Sequence, residues 1–283
     1  MSNSSTKPKK KAVTAGTPTM LHAPAKSATT TPSAHVIARW LVTTTATVGK
    51  HPLHLMIEAT GARAAVLDDL RDVVRSHYVA PATTAKRLAA LGVPRTAKLL
   101  AEHLPTTKTA RSGDLGEILA TEIAEQTLKF SVPIRRLRWK DGRNMALRGD
   151  DIVGIRRDAK GRLDFLKGES KSRAALATTV LDEAGTALDR DHGRPTRHSV
   201  LFVAERLRES GNDALAAQLE NATLTSFSGS TIEHLVLALT SGNPKNLLSD
   251  HLSAAAKKKR LRHAVGVRIV DHGAFIDLLF GGL

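Results

Sequence analysis

Three short segments hold residue types that can do chemistry together. The first is Gly113-Asp114-Leu115-Gly116-Glu117-Ile118-Leu119. At helical spacing, Gly113, Glu117, Ala120 and Ala124 fall three or four residues apart on one side. All but Glu117 are small, so that side can approach a sheet closely and deliver a carboxylate to its edge; the plain alternative is an exposed helix glutamate. In the second segment, Arg148-Gly149-Asp150-Asp151-Ile152-Val153-Gly154-Ile155, two acids open an apolar strand. Asp is a poor strand former. A turn accounts for one of the pair, and the second needs a further reason such as ligand binding. The third is Lys167-Gly168-Glu169-Ser170-Lys171-Ser172-Arg173. Strand side chains alternate faces, so Glu169 and Lys171 project together with Ser170 opposite. A carboxylate and an ammonium one strand step apart can share a metal ion and a water; alternatively they are an ion pair on a solvated face.

The chain order sharpens these readings. A helix Glu, an Asp about 34 residues on, and a Glu-x-Lys about 18 further resemble the arrangement of the PD-(D/E)xK nucleases. The chemistry is coherent: phosphodiester cleavage uses a hard cation, and Mg²⁺ takes one or two carboxylates plus water and phosphate. Such a metal activates a water and stabilises phosphate charge, while a lysine orients or deprotonates that water and offsets the developing charge. Together with Arg143-Asn144-Met145-Ala146-Leu147-Arg148-Gly149-Asp150-Asp151 and, more weakly, His198-Ser199-Val200-Leu201-Phe202-Val203-Ala204, the three segments resemble the DUF1837 family. That family includes the HamA-like nuclease subunits of Hachiman antiphage systems. The resemblance spans roughly residues 110–275. It implies a metal-dependent endo- or exodeoxyribonuclease acting on DNA with Mg²⁺ (Mn²⁺ possible), beside a superfamily 2 helicase that restrains or directs it. Carried over residue by residue, it implies Glu117, Asp151, Glu169 and Lys171 as catalytic, with Asp151, Glu169 and Glu117 as metal ligands. Gly-x-Asp spacing points to Asp151, with Asp150 as the alternative. Strand parity does not separate them, because Asp151 alternates in phase with Val153 and Ile155, and Asp150 with Ile152. A second reading is a catalytically inactive nucleic-acid-binding or adaptor protein whose nuclease motif has decayed.

The elements that must position these residues follow from periodicity. Val66, Leu67, Leu70, Val73 and Val74 predict a helix over 62–77, and Pro81, Gly92, Pro94 and Pro105 punctuate two more at 82–91 and 95–103. Residues 36–42 and 53–57 read as short strands or buried segments. Residues 106–112 read as a polar linker before a helix from 113 or 114 to about 126. Strand-like runs follow at 132–140, 151–156 and 163–171, with turns at Asp141-Gly142 and Lys160-Gly161. Helices at 173–190, 197–208 and 212–220 precede an apolar element at 232–240, a strand at 264–270 and a short helix ending at Phe280. This order predicts an α/β class with a mixed sheet flanked by helices, which the resemblance narrows to a PD-(D/E)xK restriction-endonuclease-like core. The expected organisation is a disordered basic arm at 1–34, a small mostly helical N-terminal subdomain at 35–110 and a nuclease-like domain at 111–283.

Composition sets the outer limits. The 283 residues carry 42 Lys and Arg against 27 Asp and Glu, a net charge of +15, which suggests a polyanionic partner. Residues 133–173 alone hold 13 basic against 6 acidic residues. Arg135, Arg136, Arg138, Lys140, Arg143 and Arg148 either contact phosphate or decorate a solvated edge strand. Lys257-Lys258-Lys259-Arg260-Leu261-Arg262-His263 is either a phosphate-tracking loop or an ordinary helix end. Trp139 either stacks on a base or packs internally. The absence of cysteine excludes disulfide scaffolds, thiolate metal sites and cysteine nucleophiles. It suits a reducing compartment, and a cytoplasmic location is expected. No apolar run approaches the ~20 residues of a membrane span. No phosphate loop of the Gly-rich Lys-Ser/Thr type is present, so no nucleotide cofactor is expected in this chain.

Overall fold

The computed structural model describes residues 1, 35–255 and 257–283; the basic arm expected at 1–34 lies outside the described residues apart from Met1. The described residues from 35 onward form one compact unit. It is a mixed α/β architecture: a six-stranded sheet with helices on both faces. The sheet is built from β1 (Leu41–Val48), β2 (His51–Glu58), β3 (Ile152–Arg157), β4 (Leu163–Ser172), β5 (Ile232–Thr240) and β6 (Arg262–Arg268) in the order β1-β2-β6-β5-β4-β3. The four inner strands β2, β6, β5 and β4 run parallel, and each edge strand is an antiparallel hairpin partner of its neighbour. Buried parallel strands read as continuous apolar runs; all nine residues of β5 are buried.

The helices are α1 (Val36–Trp40), α2 (Ala62–Tyr78), α3 (Pro81–Ala101), α4 (Lys108–Gln126), α5 (Thr178–Gly193), α6 (Arg197–Glu209), α7 (Asp213–Leu224), α8 (Lys245–Ala254) and α9 (His272–Gly281). One core joins α1, α2, α4 and α9 to the sheet through residues such as Trp40, Leu70, Ile118, Ile123, Leu237 and Phe275. Two further clusters lie under α6 with α7 and under α5 with α8. Among the described residues, no helix is long and apolar enough to cross a membrane.

Several boundaries differ from the periodicity reading. Residues 35–110 are mostly helical but not separate. Their hairpin pairs in parallel with β6, Leu53 opposite Ala264, and α1 and α2 share a core with residues 115–137 and 235–280. Residues 36–42 split into a helical turn capped by His35 and the start of β1. The rest of β1 is an exposed run of β-branched Thr and Val, whose pleat-compatible side chains lack the apolar alternation that marks a strand. The helices expected at 82–91 and 95–103 are the two limbs of α3, broken at Gly92 by a φ of 73°. The run 132–140 is not a strand. Only Ser131 bridges to Ile155, and Arg136–Trp139 form a single 3-10 turn. Helix α4 begins inside the expected linker because Thr107 caps it, its hydroxyl accepting from Ala110 N at 3.2 Å.

Candidate active site

Helix α4 crosses the sheet against β4. The close approach is made at Gly116, where an added Cβ would lie 3.3 Å from Ser170 Oγ and 3.5 Å from Ser172 Cβ. Gly113, expected to share this duty, faces open space. One turn along α4 from Gly113, Glu117 is held over the C-terminal end of β4. Strand β4 is buried from Leu163 to Gly168 and surfaces at Glu169, Ser170 and Lys171, so its charged end emerges where the core stops. Beside it, Ile152 of β3 sits directly opposite Gly168. A Cβ on Gly168 would come within 2.7 Å of Ile152 Cβ, so glycine there lets the two strands meet and sets Asp151 next to Glu169.

Glu117, Asp151, Glu169 and Lys171 all line one cavity of about 340 Å³, together with Asp114, Lys140 and Ser170. All four sequence-predicted residues are therefore brought to one place, from α4, from β4 and from the residue that leads into β3. Asp151 Oδ2 accepts from Ser170 N at 2.8 Å and from Ser170 Oγ at 3.2 Å. Lys171 Nζ donates to Glu169 Oε1 at 3.1 Å. Glu117 has no hydrogen-bond or ion-pair partner among the described residues.

The doublet separates cleanly. Gly149, with a φ of 98° that favours glycine, turns the chain so that Asp150 faces the interior and Asp151 the cavity. Asp150 is buried. Its Oδ2 accepts from Thr196 N at 2.6 Å, its Oδ1 lies 3.4 Å from Lys167 Nζ, and its N–H donates to Ser199 Oγ at 2.8 Å. Asp150 is thus fully engaged in the fold and does not line the cavity.

The electrostatics are dominated by burial and crowding of like charges. Burial, then the neighbouring Asp151, pushes the Glu117 carboxyl well above the usual carboxylate range. Burial likewise raises Asp151, opposed by the Ser170 hydrogen bonds and by Arg136 and Lys171. Glu169 is pushed up to about 7, first by burial and then by Asp151, with Lys171 pulling it back. Such perturbed acids in a cleft are a recognised mark of functional sites. Asp114 is raised by burial but carries its own counter-charge, accepting from Lys140 Nζ at 2.8 Å and Tyr78 Oη at 2.6 Å.

The donor set is oxygen only and includes Glu117, which has no counter-charge in contact among the described residues, and this suits a hard cation. Among the described residues, however, no three Asp, Glu or His side chains converge closely enough to enclose a metal ion. A magnesium ion keeps several waters and uses one or two carboxylates, so the donors fit a partly hydrated ion rather than a closed cage.

The basic cluster upstream is mostly internal. Arg135 pairs with Glu125 at 2.6 Å, Arg136 donates to the carbonyls of Asp150 and Arg148, and Arg138 donates to Ser76 O at 2.7 Å. Trp139 packs edge-to-face on Phe202, with ring centroids 6.1 Å apart. In the second basic block, Arg262 pairs with Asp189 at 2.8 Å and Lys258 with the same acid at 3.5 Å. Sequence reasoning did not single out Asp114 or assign Ser170 a role, although both stand inside the quoted segments. Strand alternation put Ser170 on the face away from Glu169 and Lys171, and nothing local announced that Lys140 and Tyr78 would reach Asp114.

The sequence profile of the family described as HamA matches residues 35–282. A curated relative, "Hachiman protein HamA" of Bacillus cereus, is 29% identical over 111 residues, covering 39% of this chain and 38% of the relative. The aligned part thus spans well under half of that relative's length.

Proposed function

The chain belongs to the HamA family, and from that premise we propose that it is the nuclease component of a Hachiman-type antiphage system, a metal-dependent deoxyribonuclease that works beside a superfamily 2 helicase. The observation that carries this reading is the convergence of Glu117, Asp151, Glu169 and Lys171 on one cavity. When bound, Mg²⁺ or Mn²⁺ supplies Lewis acidity that activates a water and offsets phosphate charge; Asp151, Glu169 and Glu117 would hold it, one or two of them directly and the remainder through its waters. Ser170 fixes Asp151 through two hydrogen bonds, so that carboxylate is pre-positioned rather than mobile. Lys171 lies beside Glu169 and is placed to orient the attacking water and stabilise charge on the phosphate. Arg136 holds the backbone of the Asp150 segment through two carbonyls and sets a positive charge behind Asp151.

The test is cleavage of plasmid and linear DNA with Mg²⁺ by the chain together with its helicase partner. Wild type is expected to cut, and Glu169→Ala plus Lys171→Ala to lose the activity; equal cleavage by both refutes the proposal. One observation favours a second reading, an inactive nucleic-acid-binding adaptor: the carboxylates do not close into a set of three. Calorimetry with Mn²⁺ separates the two. Binding that Glu169→Ala abolishes supports the nuclease, and no binding supports the adaptor.

A further inference from the structure

The cavity described above has a neighbour. Met145 and Ala146 form a wall common to it and to a second cavity of about 410 Å³, within the ~300–1,000 Å³ of small-ligand sites. Its other walls carry Trp139, Phe202, Arg148 and His198. The two aromatic rings stand at 89° to each other. An edge-to-face pair covers only one face of one ring; Arg206 also lies over Phe202, 5.5 Å from the ring centroid, so the aromatic surface left for a third planar group is that of Trp139. Both rings are half-buried. The contrast with Trp40 is informative: that ring is fully buried and stacks on Phe275 at 5.2 Å, as a core tryptophan does. Arg148 is exposed, and its guanidinium makes no hydrogen bond or ion pair among the described residues, unlike Arg135, Arg136 and Arg138. The walls therefore combine a planar stacking surface with an unengaged cation, the two features by which proteins hold unpaired nucleotides.

Resting on the nuclease reading above, we propose that this second cavity is a subsite for the base of an unpaired nucleotide next to the phosphate in the first cavity. Trp139 stacks the base, Phe202 meets it at right angles, and Arg148 meets the neighbouring phosphate. The substrate at the site is consequently single-stranded, or a duplex opened at the point of cleavage. Stacking on aromatic rings tolerates every base, so the subsite confers strand preference and not sequence preference.

The experiment is a binding measurement on the full chain in EDTA, which keeps catalysis out of the readout. Oligothymidylate is titrated while tryptophan fluorescence is followed; with Trp40 buried, quenching reports on Trp139. A fully abasic oligomer of the same length is the control. Wild type is expected to be quenched and to prefer oligothymidylate. Trp139→Ala is expected to bind it about 5- to 150-fold more weakly, the span of one base–aromatic stack, and to bind both oligomers alike. Trp139→Phe should keep most of the preference, which guards against a merely structural loss. Arg148→Ala, at an exposed position, should lower the slope of log affinity against log salt by about one. No quenching in wild type, no binding, or an unchanged preference in Trp139→Ala overturns the inference. The two proposals fail apart: absence of cleavage by wild type in Mg²⁺ overturns the nuclease reading alone, whereas equal binding of oligothymidylate and the abasic oligomer by wild type in EDTA overturns the subsite alone.

Discussion

The adjacent acids Asp150 and Asp151 should separate into a structural and a functional residue on substitution by asparagine. Asp150 and Lys167 are 5% and 2% exposed at their side chains and 3.4 Å apart. Asp150→Asn removes the charge and leaves the lysine ammonium buried with the Arg190 carbonyl, 3.1 Å away, as its remaining partner. Breaking a buried pair from one side costs about 3–5 kcal/mol. The asparagine oxygen can still accept from Thr196 N, so the lower end, about 3 kcal/mol, is expected. For a unit of this size that corresponds to a fall in Tm of roughly 6–12 °C. Asp151→Asn should behave oppositely. Its amide oxygen keeps the Ser170 N–H bond while one of the crowded charges disappears, so stability is unchanged or higher and metal-dependent cleavage is lost. Urea denaturation followed by circular dichroism, paired with the cleavage assay, reads both. A double variant, Asp150→Asn with Lys167→Met, tests the cause, because replacing both partners of a buried pair is often close to neutral. The reasoning fails if Asp150→Asn stays within about 1 kcal/mol of wild type, or if Asp151→Asn is the one that unfolds.

Three further outcomes follow from the same geometry. Gly168→Ala forces a Cβ against Ile152 Cβ, both fixed to paired backbones; overpacking of this kind costs about 1–3 kcal/mol, read as a lower urea midpoint, with reduced cleavage because Asp151 and Glu169 flank the contact. His234 is held neutral by burial, with a pKa lowered from 6.5 to about 4. The unfolded chain therefore takes up protons first as pH falls, so its contribution is complete above pH 6.5 and is lost progressively towards pH 4. At 1.36 kcal/mol per pKa unit that is about 3 kcal/mol, and stability curves between pH 7.5 and 4.5 should flatten in His234→Gln. Mg²⁺ should raise the Tm of wild type, by the equivalent of about 2.7 kcal/mol at a hundred times its Kd, and should leave Glu117→Gln unmoved; equal shifts would remove Glu117 from the metal site.

The site was more legible in the sequence than the frame around it. Glu117, Glu169, Lys171 and the Asp150-Asp151 pair stand out through their chain order and the family resemblance, and the periods of α4 and β4 are compatible with that choice. The choice within the doublet was not legible, since both faces of β3 are buried and alternation carries no information there. What decides it is Gly149 and the distant Thr196, Ser199 and Lys167. The stretch 132–140 misleads for a similar reason. Its Val, Ile, Leu and Trp are interspersed with arginines as in an exposed edge strand, yet the arginines are drawn to Glu125, to the carbonyls of Arg148 and Asp150, and to Ser76. These partners lie 10 to 62 residues away, beyond any local window. The hairpin of β1 and β2 joins the sheet through β6, more than 200 residues on, which is why residues 35–110 read as a body of their own.

That relocation of the arginines changes what the net charge means. The basic excess in 133–173 suggests a positive surface around the site, but Arg135, Arg136, Arg138, Lys140 and Lys167 are engaged inside the protein. Within the cavity, Asp114 is matched by Lys140, and Glu117, Asp151 and Glu169 stand against Lys171 and Arg173 of the lining and the nearby Arg136. Burial, with the repulsion among the carboxylates, nevertheless raises all three carboxyls. A protein selected only for stability would relax this by a single Glu117→Gln substitution. A cation relieves the same repulsion without any change of sequence, and brings with it the charge a phosphodiester needs. Under the proposed function, that repulsion is what a bound cation and substrate would relieve, and Glu117, with no partner of its own among the described residues, is the residue on which the proposal turns.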